Sequence, residues 1–366
     1  MIRIPAFLIA LLMLQACASG PDTKPLVRLS YKELRPIGRF LYEGNSLELI
    51  SSACHFGYSF EGRSCEISAR ITDPSGHNYL QYELDGVYQK RIRIDGNRQG
   101  PIILTAENAG LHTIWIYKAT EAHTGPIYID SVKGTNIKSS LLPVKQLIEF
   151  IGNSITCGAA SDPSEIPCGT GVYHDQHNAY AAYGPRLGRM LDVNYIISGV
   201  SGIGIYRNWN SERPVMPDVY EKADFQENGR LWDFRRYHPA IVSIALGTND
   251  FSLGDGLHNR ARFDSAAFVS KYIVFIQLIR SKYPQAQIAL LNSPMVSGPN
   301  AALLERCLKA VKAHVDLNDP AGRKTALFFF KPMKPHGCSG HPSVEDHEVM
   351  ANELAPFFRS LMTPTQ

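Results

Sequence analysis

The stretch Leu147-Ile148-Glu149-Phe150-Ile151-Gly152-Asn153-Ser154 decides the fold. Residues 147–151 have the short, mostly apolar make-up of a buried strand, and Gly152-Asn153 interrupts it just before a serine. Strands of the same type recur at 195–198, 241–246, 288–292 and 326–330. Helical periods separate them. Phe268, Tyr272, Phe275, Ile276 and Ile279 share one face, with Pro284 just beyond the end. A second helix, over about 301–314, turns Leu304, Cys307, Leu308 and Val311 inward. A third begins at Ser343, whose spacing to Asp346 fits a capping box, and carries Met350, Leu354, Phe357 and Leu361. This alternation predicts an α/β domain over 143–366, a parallel sheet with helices on both faces.

Ligands of such sheets bind beyond the carboxyl ends of the strands. Ser154 follows the first strand, Ser201-Gly202-Ile203-Gly204 the second, Leu246-Gly247-Thr248-Asn249-Asp250 the third, and Gly340-His341-Pro342 the last. All four loops are therefore expected on one edge. They bring a hydroxyl nucleophile, an uncrowded amide, a carboxamide and an imidazole, the groups acyl transfer through serine requires. Ser154 is the expected nucleophile and His341 its base. The Ser154 amide, the Gly202 amide and the Asn249 side chain are the expected oxyanion donors.

Residues 25–142 read differently. Short apolar–polar alternations at 47–50, 67–71 and 111–117, punctuated by Asp95-Gly96-Asn97 and Asn108-Ala109-Gly110, predict a β-sandwich without helices. Ahead of it, Arg3 and the apolar run 6–14 are too short to span a bilayer and suit a signal peptide. Leu14-Gln15-Ala16-Cys17 is similar to a bacterial lipobox, so residues 1–17 are expected to be a lipoprotein signal ending at a lipid-anchored Cys17. Ala18 then implies the outer membrane of a bacterial envelope. Export into an oxidising compartment lets the remaining six cysteines pair, and spacing favours Cys54–Cys65, Cys157–Cys168 and Cys307–Cys338.

The four blocks in this order resemble the SGNH (GDSL-type) hydrolases, with Gly-Asn-Ser-Ile at 152–155 where Gly-Asp-Ser-Leu is usual. The longer resemblance is to bacterial carbohydrate esterase family 2. In the first half it is carried by Phe60-Glu61-Gly62 and Tyr117-Lys118-Ala119-Thr120-Glu121. In the second it is carried by residues 152–158, Ser201-Gly202-Ile203-Gly204 with Arg207-Asn208, Trp232-Asp233-Phe234, 246–251 and His341-Pro342-Ser343. It implies a jelly-roll sandwich joined to the hydrolase domain, and removal of O-acetyl groups from plant-type polysaccharide such as xylan or glucomannan. No metal or organic cofactor is implied. The pattern departs in one place. Where relatives carry an Asp three or two residues before the histidine, this chain has Cys338 and Ser339. A Ser–His dyad is expected, with Gly340 or a neighbouring carbonyl orienting the ring and a Cys307–Cys338 bridge stiffening the loop.

Tyr206, Trp209 and Trp232 are the aromatic candidates for a sugar cleft. His174 and His177 offer only a weak metal pair. Gly199-Val200-Ser201-Gly202-Ile203-Gly204 has the wrong spacing for a dinucleotide loop. A net charge of +3 without a basic block gives no reason to expect nucleic acid as partner. Two other functions fit the same residues: a non-catalytic carbohydrate-binding surface lipoprotein, and an esterase acting on peptidoglycan or capsule acetyl groups.

Overall fold

A computed structural model of the chain describes residues 25–140, 145–257, 259–320 and 322–362. The expected signal segment with Cys17, and the junction expected at 142/143, lie outside these residues. The first half forms β1 (Leu26–Ser30), β2 (Phe40–Glu43), β3 (Ser46–Leu49), β4 (His55–Arg70), β5 (His77–Leu84), β6 (Val87–Asp95), β7 (Ile102–Lys118) and β8 (Ile127–Ser139). They pair antiparallel in the order β2-β3-β8-β4-β7-β5-β6, with β1 also on β8. Asn108-Ala109-Gly110, expected to break the chain, lies inside the seventeen-residue β7. There the pairing of β7 with β4 shifts register between Gly62 and Ser64. The turn-forming residues serve an irregularity within a long strand and do not end it.

The second half comprises β9 (Leu147–Gly152), α1 (Ser154–Cys157), α2 (Tyr183–Leu191), β10 (Asn194–Gly199), α3 (Met216–Val219), β11 (Ile241–Ala245), α4 (Ser265–Lys282), β12 (Gln287–Leu291), α5 (Gly298–Asn318), β13 (Ala326–Phe328) and α6 (Val344–Leu361). Its five strands are all parallel, in the order β10-β9-β11-β12-β13. Side chains alternate across the sheet. Ile151, Val242, Ile244, Ile288 and Leu290 join Phe268, Phe275, Leu304 and Val311 of α4 and α5 in one core. Phe150, Ile197, Ala289 and Leu291 join Leu187 of α2 and Met350, Leu354 and Phe358 of α6 in another. Helices therefore cover both faces. The capping box holds, Ser343 Oγ accepting from the Asp346 amide and Asp346 from the Ser343 amide. Helix α2, with no expectation behind it, is short and begins at Tyr183-Gly184-Pro185. Among the described residues no helix is long and apolar enough to cross a membrane.

The two halves are locked by Arg39, which is fully buried. Its Nη1 donates to the carbonyls of Tyr220 (2.6 Å) and Lys222 (2.7 Å), its Nε to Ser198 Oγ (3.2 Å), and its Nη2 faces Glu149 Oε1 at 3.5 Å. Glu149 also accepts from Ser198 Oγ and Tyr220 OH. The rings of Phe225 and Tyr220 lie 4.4 and 4.7 Å from the guanidinium carbon. Removing one partner of a buried ion pair strands the other, at about 3–5 kcal/mol. Arg39→Met should therefore lower unfolding stability by that amount in urea titration, and adding Glu149→Gln should recover part of the loss.

Candidate active site

Beyond β9 the chain turns at once into α1. A Cβ on Gly152 would lie 2.0 Å from Thr156 Oγ1, so only glycine permits this sharp return. Asn153 caps the helix by accepting from the Ile155 amide at 3.1 Å, which Asp would do equally well. Ser154, almost buried, becomes the first helical residue. An amide there has no intrahelical partner.

Ser154 Oγ stands 2.9 Å from His341 Nε2. On the other side of the ring, His341 Nδ1–H donates to the Ser339 carbonyl at 3.1 Å. That carbonyl can face the ring because Ser339 is left-handed (φ 50°, ψ 33°). Burial pulls the His341 proton affinity below the ordinary imidazole value, and the Ser339 and Cys338 carbonyls oppose it only in part. The ring thus presents an unprotonated Nε2 to the serine. The loop is pinned by Cys338 N–H to the Ala160 carbonyl (2.8 Å) and by a disulfide from Cys338 to Cys168.

That disulfide corrects the expected pairings. Cys54, Cys65, Cys157 and Cys307 are free and buried. Cys54 precedes β4 and Cys65 lies well along it, so the extended chain separates them by roughly 35 Å, far beyond the reach of a disulfide. Cys157 is packed beneath Gly199 of β10, and Cys307 lines the groove between α4 and α5. Cys338 does tether the histidine loop, but to the loop after Ser154.

Gly202 adopts φ 77°, the left-handed region that favours glycine. Its loop is held from two directions. Asn249 Nδ2 donates to the Ile203 carbonyl (2.8 Å), which leaves its second hydrogen for another acceptor. The fully buried Asp250 carboxylate accepts from the amides of Ile205, Tyr206 and Arg207 at 2.9–3.3 Å. Burial raises the Asp250 pKa to about 6 against those hydrogen bonds.

The aromatic candidates separate. Trp209 is half-exposed and lines a cavity of about 240 Å³ with His123, Ser201, Gly202 and Ile203. Tyr206 is spent on the start of α4, its ring against Phe263 and its hydroxyl accepting from the Asp264 amide. Trp232 is no cleft residue: it is buried at 5% exposure among Phe40, Tyr237 and the Arg39 guanidinium. Such packing across the two halves is invisible to local pattern.

Three residues at the site had no expected role. Glu121, just after β7, is buried and accepts from the Ser201 amide at 2.5 Å. Burial raises its pKa, against the Ser201 hydrogen bonds. The fully buried Lys118 braces the same turn through the carbonyls of Thr120 and Glu121, and desolvation pulls its pKa down to about 7. Tyr173 places its hydroxyl 3.1 Å from Ser201 Oγ and 3.4 Å from His341 Nε2. Glu121 stood in a noticed block, but nothing in its neighbourhood gave its partner; no local signal marked Tyr173.

His77, His174 and Asp175 gather donor atoms within 4.8 Å of one another. Asp175 is already engaged by His77 Nε2 (2.5 Å), Tyr79 OH (2.8 Å) and the Val172 amide (2.7 Å), and Arg91 donates to its carbonyl. This is a hydrogen-bonded strut between the halves, with a guanidinium beside it that disfavours a cation. His177 turns elsewhere, accepting from the Ala160 amide.

Comparison with known proteins adds three findings. Residues 36–143 match the family described as carbohydrate esterase 2 N-terminal, and 150–328 match the GDSL-like lipase/acylhydrolase family. An acetylxylan esterase / glucomannan deacetylase of Cellvibrio japonicus is 25% identical over 306 residues, 81% of this chain and 80% of that one. Among solved structures, a family two carbohydrate esterase from Cellvibrio japonicus superposes with TM-score 0.80 at 22% identity, covering 92% of this chain and 98% of the other. One from Clostridium thermocellum, in complex with cellohexaose, gives 0.77 at 26%, covering 91% and 98%. An antiparallel first domain of the esterase type, a parallel GDSL-like sheet, and relatives that span both make this chain a carboxylic ester hydrolase of the GDSL type, with the two-domain organisation of carbohydrate esterase family 2.

Proposed function

We propose that the protein removes O-acetyl groups from plant-type polysaccharide through an acetyl-enzyme on Ser154. The observation that carries this reading is the 2.9 Å contact between Ser154 Oγ and His341 Nε2, at the sheet edge where the Gly202 and Asn249 loops also lie. His341 takes the Ser154 proton as Oγ bonds to the acetyl carbon. The Ser154 amide, the Gly202 amide and Asn249 Nδ2 receive the oxyanion. As the C–O bond to the sugar breaks, His341 returns the proton to the departing oxygen. Water then repeats the sequence against the acetyl-enzyme, releasing acetate. The Ser339 carbonyl does the orienting that a carboxylate does in a triad, so a dyad operates. The substrate class follows the relatives' xylan and glucomannan. We read the antiparallel first domain as a jelly roll, and the segment 1–17 as the signal that anchors Cys17 by lipid to the bacterial outer membrane.

Acetate release by residues 18–366 from acetylated xylan, glucomannan and peptidoglycan, beside Ser154→Ala, tests the function. Release from a plant polymer that falls by more than about 10³ in the variant is expected. Release from peptidoglycan alone would move the substrate to the cell wall, and retained sugar binding without release would make the protein a binder. Radiolabelled palmitate should enter the full-length chain in bacteria and not Cys17→Ser.

The pH profile tests the dyad. A base whose proton affinity is lowered stays active further into acid, so kcat/KM should reach half its plateau below pH about 6.5. Ser339→Asp, at a left-handed position that Asp tolerates, brings a negative charge towards the imidazolium. It should move the acid limb upward. A limb that stays in place would show that position 339 cannot supply a triad carboxylate.

A further inference from the structure

The phenol of Tyr173 takes no part in the steps above, yet its hydroxyl reaches the reacting atoms. It lies 3.4 Å from His341 Nε2 and 3.1 Å from Ser201 Oγ. Its position is fixed from both sides. Upstream, Cys168 is bonded to Cys338 of the histidine loop. Downstream, Asp175 holds the Val172 amide and is itself held by Tyr79 and His77. The ring packs edge-on against His177 at 4.8 Å. Packing thus accounts for the ring. The hydroxyl is left facing Ser201 and the Ser–His pair.

A departing sugar oxygen must come within about 3 Å of His341 Nε2 to receive its proton. The Tyr173 hydroxyl already stands beside that nitrogen, so an oxygen placed there falls within its reach. An alkoxide is a poor leaving group, and His341 has no carboxylate to support its charge, so a second donor has work to do at this point. We propose that Tyr173 is a further catalytic residue, donating a hydrogen bond to the sugar oxygen as it leaves and then to the water that attacks the acetyl-enzyme. The phenol keeps its proton throughout. The C–O bond breaks, its electron pair goes to the sugar oxygen, and the proton that completes the hydroxyl comes from His341 Nε2. In deacylation the water's proton goes to Nε2 as its oxygen bonds to the acetyl carbon; the bond from that carbon to Ser154 Oγ then breaks, its electron pair goes to Oγ, and Oγ takes the proton back from His341. Burial and the nearby Glu121 charge both keep the phenol from ionising, consistent with a donor and not a base.

This inference rests on the esterase reading. Its test is Tyr173→Phe, which keeps the ring packing, assayed beside wild type on three acetates. These are acetylated xylo-oligosaccharide and ethyl acetate, whose alkoxides need a proton, and 4-nitrophenyl acetate, whose phenolate leaves unaided. At unchanged thermal unfolding, kcat/KM should fall about tenfold or more on both alkyl esters and stay within about threefold on the aryl ester. With the aryl ester, slower attack by water should lower kcat and enlarge the burst of nitrophenol. Equal losses on all three would overturn the proposal and make Tyr173 an orienting or oxyanion group. Unchanged rates on all three would overturn it as well. If wild type released no acetate from the oligosaccharide, the substrate reading would fail, while the ethyl and nitrophenyl pair would still decide Tyr173.

Discussion

A guanidinium stripped of water organises this molecule. Arg39 belongs to the first domain, and its hydrogen bonds run to Tyr220, Lys222, Ser198 and Glu149 of the second. Desolvating such a group costs several kcal/mol, and only a full set of partners in good geometry recovers it. Neither half can satisfy the charge alone, so the two must set together. Glu149 lies on β9, an inner strand of the parallel sheet that leads into Ser154. The first domain therefore grips the strand that leads into Ser154.

The second constraint is a histidine beside Ser154 whose Nδ1 faces a carbonyl where a triad would place a carboxylate. A carbonyl dipole can fix the tautomer of His341, but it stabilises the imidazolium less than a full charge would. The lowered proton affinity of His341 reflects this: burial is opposed only by backbone carbonyls. Under the proposed dyad, more of the rate must then come from groups that meet charge elsewhere. The Gly202 loop is correspondingly rigid, pinned by Asn249 and by the buried Asp250. The Cys168–Cys338 bond ties the histidine loop to the loop after Ser154.

Much of this was legible in the sequence. The five parallel strands and three long helices announced themselves through periodicity, and Ser343 and Asp346 marked where α6 starts. Ser154, Gly202, Asn249 and His341 could be grouped because each follows a strand of one sheet, a relation that local pattern and chain order suffice to give. What stayed hidden depends on distance across the fold. Cysteine spacing favoured near neighbours, whereas Cys168 and Cys338 meet across 170 residues of sequence. Trp232 looked like a cleft aromatic because nothing local shows that Arg39 and Phe40 lie against it. Asn108-Ala109-Gly110 looked like a turn because its composition is the same whether a strand ends or merely shifts register.

The role of the first domain follows from the same geometry. Ser201, next to the expected oxyanion glycine, is held at its amide by Glu121 and at its hydroxyl by Tyr173. A neutral acceptor would spare the cost of burying a charge, but a carboxylate makes the stronger hydrogen bond to an amide. Lys118 braces the turn that delivers it. The match to the GDSL-like family spans 150–328. Arg39 and Glu121 come before that span, and Cys338 and His341 come after it. The serine and the Gly202 and Asn249 loops lie within that span, while His341 and two of the groups that hold the site, Arg39 and Glu121, lie outside it.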